Sequence, residues 1–449
     1  MRTRIHQFVV TASGGLASAA LASAIVSVLT IAIPAEMFAQ GSTGALSSAV
    51  QRYQADVSWL ADDAREGRGM QSEGLVESGE WLIEQFREIG LQPAGENGYR
   101  DPFVAQVMFP DPDQPDNPHA GERRPVEAFN VVGRIEAGAA DRLPGVVVVG
   151  AHYDHLGMGG EGSLEPGVVA IHNGADDNAS GTAALLAVAR DLASRSDELR
   201  RDVWFVAFSL EEKGLLGSST FVREPTGGLE VEKIYAMLNM DMVGRLTDGK
   251  LQVLGGGSAE EWDDIVAPLC ESAQLECKIG GDGFGSSDQS SFFAAGIPVL
   301  HFFTGTHSEY HRSSDDTDLI NAEGGVRVAG LVGDVALVTA NRPEPLTYVE
   351  AKERQSQRMA FKVTLGIVPD YAGPSDGSPG LLLSGVRPEG PGGQAGLERG
   401  DIIVGMGETE ISTIEDYMKV LSTTEPGSSM PVTVVRNDER VTLEVSFEQ

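Results

Sequence analysis

The chain is poor in cysteine and in basic residues, and each shortage argues against a class of protein. Its only cysteines, Cys270 and Cys277, are too few for a disulfide scaffold, and they lack the paired CxxC spacing of a thiolate zinc site. The two can pair with each other in an oxidising compartment, and the alternative is that they are simply two small buried residues. With 33 Lys and Arg against 66 Asp and Glu, the formal net charge of the 449 residues is -33. We therefore expect a solvated acidic surface and no nucleic-acid partner.

One long apolar run is present, from Phe8 to Ile33 at the N-terminus. It follows Arg2 and Arg4 and precedes a small-residue stretch that ends at Ala39, which is the pattern of a secretory signal peptide. We expect residues 1–39 to be that signal peptide and the protein to be secreted or periplasmic. The run is long for such a segment, so an uncleaved membrane anchor is the alternative. If the segment is cleaved, we expect no contact with a membrane.

The length of the chain implies at least two folded units, because a single hydrophobic core stops growing at ~250–300 residues. A charged connector, NRPEPLTYVEAKERQSQRMAF, begins at Asn341 and contains Pro343 and Pro345. We place the boundary there. The predicted units are a first domain over residues 45–342, a linker over 343–358 and a small β-rich domain over 359–449.

Short apolar runs alternate with helical stretches after Asn130. The runs are NVVGRIEA, PGVVVVGAHYD, RDVWFVAFSLEE, KIYAMLNMDMV and GIPVLHFFTG. This alternation predicts an α/β fold with a mainly parallel mixed sheet, covered by helices on both faces. Before it, Trp81, Leu82, Phe86 and Ile89 recur at helical spacing ahead of Gly90, which predicts an amphipathic helix.

The segment from Pro110 to Pro125 is dense in Pro and Asp. We predict a surface loop there, because such a segment can form neither a helix nor a central strand.

Five polar fragments contain candidate metal ligands, and four of the predicted strands run directly into such fragments. They are AHYDHLG at 151–157, NGADDNASG at 173–181, SLEEKG at 209–214, NMDMVG at 239–244 and EYHRSSDD at 309–316. Open α/β sheets bind ligands at the carboxyl ends of their strands. The fragments therefore predict one metal site at that edge.

The first two fragments offer a histidine and a pair of carboxylates. His152 has Asp154 two residues on, and a metal-binding imidazole needs an acceptor on its second ring nitrogen. His155 is the nearest competitor for the ligand role. Asp176 and Asp177 lie in a small-residue loop before a helix, where one carboxylate can reach two cations and the other can cap the helix.

The next two fragments add carboxylates at strand ends. Glu211 and Glu212 can divide the roles of base and ligand, because adjacent side chains point in different directions as a strand ends. Asp241 lies in an apolar run, where an unpaired buried carboxylate would be costly and a cation would resolve the cost.

The last fragment supplies His311, with Tyr310 beside it and Asp315 four residues later. Upstream, Asp288 lies in a polar loop, GFGSSDQSSFF, that we expect to support the same wall of the site.

These fragments, as the elements HxD, GADDNASG, EE, NMDM and YHxxxD, occur in the order found in the M28 family of zinc aminopeptidases. Residues from about 50 to 342 resemble that family. The resemblance implies a zinc-exopeptidase-like α/β fold, a peptide substrate and two zinc ions as cofactors.

The resemblance also implies a ligand set. His152 and Asp241 would hold one zinc ion, and Glu212 and His311 would hold the other. Asp177, the second aspartate of its fragment, would bridge the two ions, and the family commonly has a cis peptide bond directly after this residue.

Further roles follow from the same resemblance. Glu211 would be the general base, and Asp154 would support His152, which the resemblance favours over His155 as the ligand. Tyr310 is similar to a tyrosine that binds the carbonyl oxygen in some members.

The donor types are consistent with this chemistry. Mixed carboxylate and imidazole ligands with one bridge suit two cations ~3.5–4 Å apart, which can lower the pKa of a bound water from 15.7 towards ~7. Glu211 would take the proton of that water and then give it to the departing amine. The second metal ion and Tyr310 would stabilise the tetrahedral oxyanion.

The C-terminal part, from about Met359, resembles a PDZ domain. Leu365, Gly366 and Ile367 stand where that family has its carboxylate-binding loop. Such domains add an extended chain to a sheet edge, so the resemblance implies a peptide or protein C-terminus as a partner. The alternative is a β domain that only stabilises the enzyme.

The function predicted is a dizinc exopeptidase, an aminopeptidase that removes N-terminal residues through a metal-activated water. A carboxypeptidase or another amidohydrolase of the same fold is the first alternative, because the pocket decides which end of a peptide is read. A glutaminyl-cyclase-like enzyme fits less well, since such enzymes work with one zinc ion. A non-catalytic binding protein that presents the PDZ domain is the alternative of another class.

Overall fold

A computed structural model describes the protein from residue 35 to residue 447. Within that span it leaves out residues 111–120, 161, 166, 306, 351–362, 370–373, 375–377, 387–389, 413–415, 418–419, 422–423 and 438. The signal peptide predicted over 1–39 lies outside the described residues for its first 34 positions, and the predicted linker does so from 351 onward.

The described part of the first domain contains one large mixed sheet. Its nine strands are β1 Gln92–Pro93, β2 Arg100–Pro110, β3 Gly121–Ile135, β4 Val146–His152, β5 Asp202–Phe208, β6 Ile234–Met240, β7 Lys250–Leu254, β8 Glu276–Gly280 and β9 Val299–Phe303. The spatial order is β1-β3-β5-β4-β6-β9-β7-β8, with β2 beside β3. The four central strands, β5, β4, β6 and β9, run parallel, which confirms the predicted sheet.

The central strands alternate their side chains between two cores. In β4, whose residues are all buried, Val147 and Val149 join one cluster of buried residues, and Val146 and Val148 join another. A strand that is apolar on both faces requires cover on both faces.

Helices supply that cover. They are α1 Ala35–Leu60, α2 Glu73–Ile89, α3 Gly181–Ser194, α4 Leu216–Arg223, α5 Trp262–Ser272, α6 Gln289–Ala294 and α7 Ala322–Asn341. Helices α3 and α7 contribute to the first core, and Phe221 of α4 and Phe292 of α6 contribute to the second.

The helix predicted around Trp81 is confirmed as α2. Ser72 accepts the backbone N–H of Leu75 at its start, and Gly90 ends it in the left-handed conformation, with φ 92°. Leu82 and Phe86 are fully buried. The capping residues and the apolar stripe therefore agree on where this helix begins and ends.

The surface loop predicted from Pro110 to Pro125 is wrong in part. Residues 121–125 belong to β3, where they pair with β2 out to Pro110, and residues 111–120 lie outside the described part of the chain. Pro125 is compatible with a strand here because β3 pairs with β5 only from Val131 onward, so this stretch has a single partner strand.

The C-terminal domain has a six-stranded antiparallel sheet, as predicted for a β-rich unit. The strands are β10 Ile367–Pro369, β11 Leu381–Val386, β12 Ile402–Met406, β13 Thr409–Glu410, β14 Ser429–Arg436 and β15 Glu439–Ser446. A short helix, α8 Pro391–Ala395, lies between β11 and β12. Strand β10 is an outer strand of the sheet.

Two further features complete the description. Cys270 at the end of α5 and Cys277 in β8 form a disulfide. In the part of the chain that the structure describes, no helix combines the length and apolar character needed to cross a membrane.

Candidate metal centre

The predicted fragments meet at the carboxyl ends of the parallel strands. His152 is the last residue of β4, Asp241 follows β6 directly, and Glu211 and Glu212 follow β5 after a short turn. Because β5, β4 and β6 are neighbours and parallel, their ends share one edge of the sheet. The loop before α3 brings Asp177 to the same place.

His152 faces two carboxylates with one ring nitrogen. Its Nδ1 donates to the backbone carbonyl of Asp154 at 3.2 Å, so in the neutral imidazole Nε2 is the nitrogen with the lone pair. Nε2 lies 3.5 Å from Oδ1 of Asp177 and 3.5 Å from Oδ1 of Asp241. The imidazole is buried at 1% exposure.

Asp177 reaches towards a second histidine with its other oxygen. Its Oδ2 lies 3.2 Å from Nε2 of His311, whereas Oδ1 faces His152. The peptide bond from Asp177 to Asn178 is cis, which confirms that prediction. One carboxylate therefore lies between two imidazoles.

The second half of the site joins His311 to Glu212. Nε2 of His311 lies 3.5 Å from Oε2 of Glu212, and Nδ1 donates to the carbonyl of Gly162 at 2.7 Å. Tyr310 stacks on the His311 ring with 3.8 Å between ring centroids. Burial raises the pKa of the Tyr310 hydroxyl, so it stays protonated and can donate a hydrogen bond.

Asp154 supports the site mainly through the Glu211–Glu212 turn. Its Oδ1 accepts the backbone N–H of Glu211 at 3.0 Å, and its Oδ2 accepts that of Glu212 at 3.2 Å. The carboxylate is 3.8 Å from Nδ1 of His152, so the direct hydrogen bond to His152 comes from the Asp154 backbone carbonyl instead.

Glu211 lies beside the first half of the site. One of its carboxylate oxygens and one ligand atom each of His152 and Asp241 all lie within 4.8 Å of one another. Burial raises the pKa of Glu211 well above its usual value. Burial acts in this direction because it disfavours the charged form of a carboxyl group.

The spacing of the donor atoms fits tetrahedral metal coordination. Two donors that each lie about 2.0–2.1 Å from one tetrahedral zinc ion are ~3.3 Å apart. The four separations between the histidine Nε2 atoms and the facing carboxylate oxygens are 3.2–3.5 Å. In addition, Nε2 of His152 and Oδ1 of Asp241 are buried without a hydrogen-bond partner, which native structures rarely allow.

The electrostatics also favour a cation. Burial disfavours the charged form of His152, but the carboxylates of Glu211 and Asp241 outweigh it and raise the pKa of His152 well above its usual value. At His311, burial is outweighed by the carboxylates of Asp177 and Glu212, which raise its pKa to about 9. The site is built to hold positive charge between carboxylates.

Two residues near the site were missed or ranked lower by sequence reasoning. Arg68, a fully buried side chain, donates to the backbone carbonyls of Tyr153, Asn173 and Gly174, the loops that carry the site. His155 lies against Glu212 and forms, with Glu212 and Asp177, a second group of possible ligand atoms. For Arg68 the sequence carries no signal, since exposed arginines are far more common than buried ones.

Comparison with known proteins gives matches for both parts of the chain. Residues 130–336 match the model of peptidase family M28, and residues 363–447 match the model of the PDZ domain. Aminopeptidase YwaD of Bacillus subtilis is 31% identical over 209 residues, which are 43% of this chain and 41% of YwaD. Leucine aminopeptidase 1 of Uncinocarpus reesii is 27% identical over 303 residues, covering 60% of this chain and 69% of that protein.

A solved structure of an enzyme that is named a glutaminyl cyclase, and not an aminopeptidase, has a similar fold. A glutaminyl cyclase from Bacteroides thetaiotaomicron, bound to N-acetylhistamine, covers 65% of this chain and 97% of its own with a TM-score of 0.50 and 17% identity. At that identity the likeness concerns the fold alone. The chain spans less than half of YwaD, so these matches concern domains and not a whole protein.

Proposed function

Since the chain contains a peptidase family M28 domain followed by a PDZ domain, we propose that it is a dizinc aminopeptidase. The observation that carries the proposal is the position of Asp177, whose two oxygens face two histidines, with a further carboxylate opposite each histidine. The names of the relatives YwaD and leucine aminopeptidase 1 support the assignment as an exopeptidase.

In this proposal the ligands divide into two sets. His152 and Asp241 would hold one zinc ion, Glu212 and His311 would hold the other, and Asp177 would be a ligand to both. Imidazole and carboxylate donors suit zinc, although cobalt and manganese accept them too. Zinc bound there would supply Lewis acidity and would lower the pKa of a bound water towards ~7.

The protein's own groups move the protons. Glu211 takes a proton from the attacking water and returns it to the departing amine, a role for which its position beside His152 and Asp241 is suited. Tyr310 donates its hydroxyl proton in a hydrogen bond to the carbonyl oxygen of the scissile bond, where negative charge develops. Asp154 keeps Glu211 and Glu212 in place through their backbone N–H groups.

The C-terminal domain is proposed to bind a peptide or protein C-terminus. Leu365 and Gly366 precede β10, which begins at Ile367 and is an outer strand of the sheet, where an added chain can pair. Export to the periplasm or the medium is also proposed. The Cys270–Cys277 disulfide supports it, because disulfides persist in oxidising compartments.

The test is hydrolysis of aminoacyl anilides by the purified protein. The panel contains free and N-acetylated forms of each substrate, plus a series of N-blocked dipeptides with free C-termini for carboxypeptidase activity. We expect chromophore release from free-amine substrates only, lost after chelation and restored by zinc. Release from acetylated substrates would indicate another amidohydrolase, and cyclisation of a glutaminyl anilide without release would indicate a cyclase.

A further inference from the structure

His155 is placed beside the proposed ligand Glu212 by both its backbone and its ring. Its backbone N–H donates to the carbonyl of Arg68 at 3.1 Å. Its side chain is 0% exposed, and the ring packs on Gly174, where even an added Cβ would come within 2.4 Å of Cδ2. The imidazole has little room to take another orientation.

The distance between His155 and Glu212 is that of a hydrogen bond. Nδ1 of His155 lies 2.8 Å from Oε1 of Glu212, whereas donors on one tetrahedral zinc ion are ~3.3 Å apart. The other oxygen of Glu212, Oε2, lies 3.5 Å from His311. Nδ1 of His155 is 3.9 Å from Oδ1 of Asp177.

The two oxygens of Glu212 therefore have different partners. A carboxylate can turn about its last bond, and a ligand carboxylate commonly has an outer partner that fixes this rotation. The backbone N–H of Glu212 donates to Asp154, but that contact does not orient the carboxylate.

We propose that His155 is a positioning residue, not a metal ligand. It donates Nδ1–H to Oε1 of Glu212 and thereby turns Oε2 towards His311 and the metal ion. The inference rests on the metal site of the proposed function.

Zinc binding by the full chain, titrated against a chromophoric chelator without any substrate, tests the inference. His155→Asn keeps an N–H donor on the atom next to Cγ, where Nδ1 stands, but loses the imidazole. His155→Leu has similar bulk and no donor. We expect the wild-type protein to bind two zinc ions, the Asn variant to stay within about threefold of it, and the Leu variant to bind one ion ~10–100-fold more weakly.

A double-mutant cycle separates positioning from a general loss of structure. In a Glu212→Gln background, His155→Leu should weaken zinc binding no further, because the carboxylate that it orients is gone. Circular dichroism of the chelated variants checks that each one is folded. Should the Leu variant fail to fold, the Asn variant and the comparison of His155→Asn with and without Glu212→Gln still decide the matter.

Two results would overturn the inference alone. Equal weakening in the Asn and Leu variants would make His155 a ligand through its imidazole, and unchanged affinity in the Leu variant would leave it without a role at the site. Failure of the wild-type protein to bind zinc would overturn both the inference and the proposed function. Zinc binding without anilide hydrolysis would count against the proposed activity and leave the inference standing.

Discussion

Oδ2 of Asp315 accepts the backbone N–H of Asp177 at 3.1 Å, and it also accepts that of Asp176 at 2.9 Å. Asp315 is fully buried and comes from the same fragment as His311. The segment that supplies one proposed ligand therefore also fixes the backbone of the proposed bridging ligand.

Replacement of Asp315 by alanine should weaken zinc binding and folding together. Each of the two backbone N–H groups would lose its acceptor, at about 1–3 kcal/mol for a buried unsatisfied group. Because one oxygen accepts both bonds, Asp315→Asn keeps an acceptor and should be milder. Zinc titration and urea unfolding of the two variants check this. If the Asn variant lost as much zinc affinity and stability as the Ala variant, the effect would come from the charge of Asp315 and not from its role as an acceptor.

Substitutions of Glu211 and of Glu212 should have different effects on zinc binding and activity, although the two residues are adjacent. Glu211→Gln should keep both zinc ions and lose activity by at least ~10²–10⁴-fold, because the proton acceptor is removed. Glu212→Gln should lose affinity for one ion. Metal content and anilide hydrolysis measured on the same preparations decide this, with the exposed Glu224→Gln as the control that changes neither.

A Glu211→Gln variant that loses zinc would contradict that assignment. It would indicate that Glu211 is itself a metal ligand. One of its oxygens lies within 4.8 Å of a ligand atom of His152 and of Asp241.

The strands around the site could be predicted because their residues are apolar on both faces. A run such as VVVVGAH in β4 is typical of a central strand that is covered on both faces. The ligand fragments could then be placed at the ends of these strands. Strand β2 was not predicted, although Phe103, Ala105 and Val107 alternate as buried residues. The prolines at both of its ends obscured that period.

Partners beyond the ligand fragments could not be predicted from spacing. Arg68 stands 85 positions before Tyr153, whose carbonyl it binds, and nothing in the local pattern reveals that it is buried. The support of His152 by Asp154 was predicted as a carboxylate contact, but the shorter contact comes from the backbone carbonyl. Backbone acceptors have no sequence signature.

Arg68 should be essential for stability. Its side chain donates to the carbonyls of Leu60, Tyr153, Asn173 and Gly174 at 2.7–2.9 Å. Burial lowers the pKa of Arg68 to about 10, so it remains charged at neutral pH. Arg68→Met should lower the free energy of unfolding by roughly 3–5 kcal/mol, since buried acceptors and nearby carboxylates lose their cation.

Urea unfolding with and without zinc measures the Arg68 effect. Zinc should restore part of the loss, because it binds the native state only. The control is Arg124→Met, at an arginine whose side chain is 59% exposed and paired with Glu122, where we expect a change within ~0.5 kcal/mol. Equal stability of the Arg68 variant and the wild-type protein would refute the prediction.

Gly366 should be required for peptide binding by the C-terminal domain. It has φ +72°, and an added Cβ would come within 2.9 Å of the backbone of Gly390. Gly400 has φ +90° but open space around it, so Gly400→Ala carries the backbone strain without the clash. On an array of peptides with free C-termini, Gly366→Ala should weaken the best binder tenfold or more and Gly400→Ala less than about threefold, with anilide hydrolysis unchanged in both.

Absence of any binder for the wild-type protein would favour the alternative that this domain only stabilises the enzyme. Equal effects of the two glycine variants would place the peptide elsewhere on the domain.

The Cys270–Cys277 disulfide should contribute to stability and not to catalysis. It closes a short loop with a sequence separation of 7, for which the chain-entropy model gives roughly 2–3 kcal/mol. None of the proposed site residues lies on α5 or β8, which it joins. The double variant Cys270→Ser, Cys277→Ser should therefore unfold at lower urea concentration, with kcat/KM for the anilides unchanged. Reductant should bring the wild-type protein to the same midpoint and leave the variant unaffected, whereas insensitivity of the wild-type protein to reductant would mean that the two thiols are not paired in solution.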